Sequence, residues 1–119
     1  VYIDDVVNIT AQAVEHESPV VGVFNVGSGV ATDVMTIANT LQKFLGTTVP
    51  TKVSGQFRLG DIRHNVADIT KAESIFGFKP TTYIEDGLKK FVTWVKSEQI
   101  QTDRYEQSLD ELKAKGIFK

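Results

Sequence analysis

The sequence predicts an α/β fold, and three observations carry that expectation. Strand-like runs alternate with helical patterns along the chain, three short runs against about five helices. One of the runs, Val20 to Val26, is almost continuously apolar, as expected of a strand covered on both faces. The helical patterns also come with their own stops, since Gly46, Gly77 and Gly116 each follow the last apolar position of one.

Val1 to Ile3 reads as a strand, and Asp4 or Asp5 as the cap of a helix over about Val6 to Glu15. That helix is apolar on most faces (Val6, Val7, Ile9, Ala11, Ala13, Val14), which predicts burial, and Ser18-Pro19 ends it. After the Val20 to Val26 run, Gly27-Ser28-Gly29 turns the chain. Thr32 is placed to cap a helix carrying Val34, Ile37, Ala38, Leu41, Phe44 and Leu45, stopped by Gly46. Thr51 to Leu59 is strand-like. Asp68 caps a short helix with Ala72, Ile75 and Phe76, closed by Gly77 with Pro80 beyond. Thr82-x-x-Glu85 has the form of a capping box for a helix whose stripe is Ile84, Leu88, Phe91, Val92 and Val95. A last, highly charged helix from about Asp103 to Lys115 carries Tyr105, Leu109 and Leu112 and reads as a surface element. Three strands make a thin sheet. Val20 to Val26 therefore reads as a strand built to join a sheet supplied elsewhere.

Composition narrows the function classes. With 119 residues and 41% hydrophobic content the chain has enough apolar material for a core. A net charge of -2, with no lysine-arginine cluster beyond a pair, predicts no nucleic-acid surface. The absence of cysteine excludes disulfides and thiolate metal sites, and His16 and His64 are isolated. No apolar run approaches the roughly 20 residues that span a bilayer, so the expectation is a soluble, cytoplasmic protein with no membrane partner. The chain opens inside an apolar run, Val1-Tyr-Ile3, and its only methionine is Met35. We expect it to be a piece of a longer protein.

Candidate chemistry concentrates in Arg58-Leu-Gly-Asp61-Ile-Arg63-His64. Two of the three arginines lie here, at the end of a strand-like run and separated by a Gly-Asp turn. Guanidinium presents a planar fork of donors that suits phosphate oxygens, and a carboxylate between two such forks accepts from sugar hydroxyls. The pattern suits a ligand that is both phosphate and sugar. A solvated turn with a local Arg-Asp pair explains the same spacing, since exposed ion pairs are common and weak.

Other patterns lead elsewhere. Gly27-x-Gly29 between a strand and a helix begins like a dinucleotide fingerprint, but Thr32 stands where the third glycine belongs. Thr47 to Lys52 also lacks the acidic residue such a loop requires. A tight turn is the better reading. No Tyr-x-x-x-Lys pair exists, because Val6, Gly87 and Leu109 follow the three tyrosines at that spacing. No serine or histidine sits in a nucleophile-elbow context. Asp4-Asp5 reads as a helix cap with first-turn charge, and Trp94 as a packing residue offset from its helix's main stripe.

Taken in order, several stretches resemble the C-terminal part of the extended short-chain dehydrogenase/reductases, the nucleotide-sugar epimerase and dehydratase family. They are Val1-Tyr-Ile-Asp-Asp-Val6, Phe24-Asn-Val-Gly-Ser-Gly29 with Thr32, and Arg58-Leu-Gly-Asp61-Ile-Arg63. Ala67-Asp-Ile-Thr-Lys-Ala72, Phe76-Gly-Phe-Lys-Pro80, and Glu85-Asp-Gly-Leu88 running into Trp94 complete the series. The resemblance runs from about Val1 to Lys96. It implies a substrate-binding region over residues 1–98, with 99–119 as a surface helical tail.

In that family an N-terminal Rossmann domain holds NAD and its Tyr-x-x-x-Lys pair performs the acid-base step, while the C-terminal region binds the nucleoside diphosphate of the sugar. Carried over, the resemblance implies that Arg58 contacts the diphosphate and Asp61 the ribose hydroxyls. Arg63 falls where many relatives carry a second basic residue, a further candidate for phosphate. It implies no catalytic, cofactor-binding or metal residue in this chain, and an isolated chain that is catalytically silent. Within the family a 4-epimerase is the first expectation, with dehydratase and decarboxylase as alternatives. A non-catalytic nucleotide-binding or assembly module is the reading from another class. Apolar faces around Val20 to Val26 and Val6 to Val14 would be uncovered without the cofactor domain, so self-association, as a homodimer or an exchanged segment, is expected.

Overall fold

The structure, a computed structural model, describes residues 1–99 and 102–118. Of the tail expected over 99–119, residues 100, 101 and 119 lie outside the described residues. Five helices form: α1 (Ile3–Glu15), α2 (Val34–Leu45), α3 (Thr70–Phe76), α4 (Ile84–Ser97) and α5 (Tyr105–Ala114).

Their ends show how the sequence sets them. α1 begins earlier than Val6 and absorbs Ile3, with the Tyr2 carbonyl accepting from the N–H groups of Asp5 and Val6. The cap of α2 is Asp33 and not Thr32. Its carboxylate accepts from the Thr36 hydroxyl and from the Thr36 N–H at 2.9 Å, and these two bonds, the hydroxyl's first, hold its pKa below the usual carboxylate range. Gly46 closes α2 at φ 71°, its N–H on the Gln42 carbonyl at 2.9 Å. Asp68 accepts from the Thr70 N–H at 3.0 Å where α3 begins. The capping box before α4 does not form. Thr82 is buried and gives its N–H to Asp5, while Glu85 reaches Lys43 of α2 at 2.7 Å.

The helices pack in two pairs, α1 on α3 and α2 on α4. Ile9, Ala72 and Phe78 form the buried centre of the first pair, with Phe24, Val26, Ile69 and Phe76 around it. The second pair buries Val92, and the Lys43–Glu85 ion pair and a bond from Lys96 Nζ to the Phe44 carbonyl at 3.0 Å bind its rim.

A buried acid ties the first pair to the second. Asp5 is 1% exposed and accepts from the Thr81 N–H at 2.8 Å, the Thr81 hydroxyl at 2.7 Å and the Thr82 N–H at 3.2 Å. Burial alone would raise its carboxyl pKa. The bonds from Thr81 and Thr82, with Lys90 beyond, outweigh burial and hold the pKa below the usual range. Asp5 is a staple from the start of α1 to the approach of α4, and not a helix cap.

The three expected strands pair into no ladder among the described residues. The one bridge there is antiparallel, Arg58 to Phe118. A strand is stabilised by a neighbour's backbone, and Val20 to Val26 finds none: Val21 is 99% and Val23 85% exposed. The same holds for α1, where Ile9 is buried but Val7 and Val14 are open, and for α4, where Ile84, Phe91 and Val95 are exposed around Val92. The chain is correspondingly spread out. Its radius of gyration is 18.1 Å, against roughly 13.5 Å for a compact domain of this length. Its accessible surface is 9690 Å², where a folded monomer of this mass shows about 6,400 Å².

Candidate functional site

The expected site is a turn, and Gly60 makes it. The Asp61 N–H bonds the Arg58 carbonyl at 3.2 Å, and Gly60 between them takes φ 91°, a left-handed conformation that glycine reaches without strain. This brings the first two candidate side chains together: Arg58 Nε donates to Asp61 Oδ2 at 3.0 Å. Both are about half exposed, so water screens the pair. The contact uses only Nε. The two terminal amino groups of Arg58 form no hydrogen bond among the described residues, and Oδ1 of Asp61 accepts none. Arg63 and His64 are exposed and join neither the pair nor another described residue in an ion pair.

Leu59, inside the turn, gives its N–H to the Ile117 carbonyl at 2.8 Å. The tail after α5 therefore lies against the arginine turn. Nothing in the spacing of either segment signals this contact, since the partners stand more than fifty positions apart.

The Gly27-x-Gly29 turn serves packing. Gly27 is buried, and a Cβ placed on it would fall 2.6 Å from the Ala67 methyl, so its space is already taken by the chain. Lys71 is exposed, donates to the Val23 carbonyl at 3.1 Å and lies 4.5 Å above the Phe24 ring. Trp94 is 56% exposed, its ring 5.7 Å from that of Phe91.

A cleft of about 400 Å³ opens between the N-terminus and α4, with Tyr2, Ser28, Thr32, Asn65, Tyr83 and Phe91 among its walls. Its mixture of hydroxyl, amide and aromatic groups suits a small polar ring.

No protein-family model matches the chain. Individual relatives do. A dTDP-L-rhamnose 4-epimerase of Burkholderia thailandensis is 33% identical over 98 residues, which is 82% of this chain and 27% of that protein. UDP-glucuronate 4-epimerase 1 of Arabidopsis thaliana is 36% identical over 75 residues, 63% of this chain and 18% of its own length. Among solved structures, the UDP-glucuronic acid 4-epimerase of Bacillus cereus, in complex with UDP-glucuronic acid and NAD, superimposes with a TM-score of 0.65 at 28% identity, over 80% of this chain and 30% of that one. The chain thus spans 27% and 18% of the lengths of these two curated relatives. The chain belongs, as a stretch matching their C-terminal part, to the extended short-chain dehydrogenase/reductases of the nucleotide-sugar epimerase family.

Proposed function

We propose that the chain is the nucleotide-sugar-binding part of an NAD-dependent 4-epimerase, and that Arg58 and Asp61 anchor the nucleoside diphosphate, with Arg63 of the same loop as a further phosphate contact. The observation that carries this reading is the state of Arg58. Its Nε is locked on Asp61, and both terminal amino groups are left for an anion. A guanidinium fixed at one nitrogen is pre-oriented for a two-pronged contact with phosphate. The unspent oxygen of Asp61 is an acceptor for a vicinal diol.

No redox step is assigned to these residues. In this reading NAD is held by the remainder of such an enzyme, in the cytoplasm. The share of this chain is binding: a diphosphate gripped firmly lets the sugar turn over without leaving, so that remote binding energy serves the chemistry.

UDP and dTDP titrated into the protein and its Arg58→Ala variant test the anchor. Loss of a two-pronged charged contact should weaken binding about tenfold or more. Equal affinities for the two proteins rule the anchor out.

The open apolar side chains Val7, Val14, Val21 and Val23 support a second part of the proposal, that the chain associates with itself or with a partner through these faces. Sedimentation at roughly tens of micromolar, where weak association shows, should find species larger than a monomer. A strictly monomeric boundary is the contrary result.

A further inference from the structure

Among the described residues, the arginine turn touches the rest of the chain by hydrogen bonding in one place. From position 50 to position 66 every residue is exposed. Among the described residues, the bond from the Leu59 N–H to the Ile117 carbonyl at 2.8 Å, within the Arg58–Phe118 bridge, is the one hydrogen bond that leaves this segment. The tail that supplies the acceptor is equally isolated. Among the described residues α5 packs on none of the other four helices. Lys115, Gly116 and Ile117 give their N–H groups back to Glu111, Lys113 and Leu112, and Gly116, at φ 67°, reverses the chain so that the Ile117 carbonyl meets the turn. Turn and tail support each other.

The bridge also has a side. It engages the backbone of Leu59 and leaves the terminal amino groups of Arg58 without a protein partner among the described residues. A contact of that form orders the loop without covering its charge.

We propose that Ile117 and Phe118 are a C-terminal clasp that pre-organises the Arg58–Asp61 pair for a phosphate-bearing ligand. The proposal rests on the anchor reading of Arg58 given above, and assigns the tail a positioning role in it. An exposed loop ordered before the ligand arrives spares the ligand the entropy of ordering it. Coupling of this kind is reciprocal, so a ligand that gains from the clasp also tightens it.

The test uses the 119-residue chain, with amide exchange at Leu59 followed with and without UDP. UDP affinity is measured for the intact chain, for a chain ending at Gly116, and for Arg58→Ala. Removing the clasp should speed exchange at Leu59 and weaken UDP binding roughly fivefold, the size of one net hydrogen bond, with exchange in α1 to α4 unchanged. UDP should slow Leu59 exchange in the intact chain. Gly116→Val keeps every later residue but strains the left-handed reversal, and should move both readouts in the same direction as the truncation. Truncation that leaves UDP affinity intact, while Arg58→Ala weakens it, overturns the clasp and leaves the anchor standing. UDP that speeds Leu59 exchange makes the tail a competitor and overturns the clasp as well. If Arg58→Ala binds UDP as the intact chain does, the anchor falls, and unchanged Leu59 exchange on truncation then removes the clasp too.

Discussion

Asp5 and Asp61 are the same residue put to opposite uses. Asp5 is 1% exposed and all of its contacts are internal, with Thr81 and Thr82 donating to both oxygens. Asp61 is half exposed, accepts one bond from a neighbour three positions away, and keeps an oxygen open. Low dielectric around the first makes each of its bonds matter to the fold. Water around the second makes its ion pair nearly neutral to stability and leaves the groups available. In the proposed reading the chain separates what holds it from what would meet a ligand, and aspartate serves at both ends.

The largest effect should come from the packed end. Phe78 is 2% exposed at the centre of the α1/α3 cluster. Phe78→Ala should lower stability by about 3–5 kcal/mol, read as the urea midpoint, and a loss below about 1 kcal/mol would mean that this cluster is not the core.

Next comes the staple. Asp5→Asn places an amide group against donors that now have an acceptor, and should cost about 2–3 kcal/mol. The same site sets a pH dependence. The folded pKa of Asp5 lies below its unfolded value, so the stability it adds is present above the unfolded pKa and is lost as pH falls through the folded one. The wild type should therefore weaken below about pH 4, near the ordinary carboxylate value, and Asp5→Asn should weaken less steeply there. Parallel acid profiles for the two proteins would remove Asp5 from the account.

The smallest effect on stability belongs to the open end. Asp61→Asn should change stability by less than about 0.5 kcal/mol, while weakening nucleotide binding. A variant that unfolds would show that the turn is structural, and the contrast between the two aspartates would collapse.

How much of this was legible in the sequence follows from the distance between partners. Helix ends set by the next few residues read correctly: Gly46, Gly77 and Gly116 all take left-handed φ where the patterns stop. The Arg58–Asp61 contact was legible for the same reason, since Gly60 folds three positions into a turn. The cap of α2 was misplaced by one residue, between two neighbours of similar capping chemistry. Asp5 was misread because its partners stand 76 and 77 positions away. The capping box at Thr82 failed with it, because Asp5 took the Thr82 N–H that the box would have used. The strand runs were read from their apolar pattern, which records what a segment is suited to lie beside. In the described residues Val20 to Val26 has no strand beside it: Phe24 and Val26 pack on the α1/α3 centre, while Val21 and Val23 stay open. The clasp had no signal at all.

The spread surface of this chain has a consequence for its thermodynamics. Unfolding can expose only what folding has covered, and with 9690 Å² already open there is less left to expose. Denaturant slope and heat-capacity change both scale with newly exposed area. The heat-capacity increment should fall below the roughly 1.6 kcal/mol/K of a compact chain this long, and the urea transition should be shallow. Its stability curve is then flat: broad in temperature, low at its summit, and raised by whatever comes to cover the open valines.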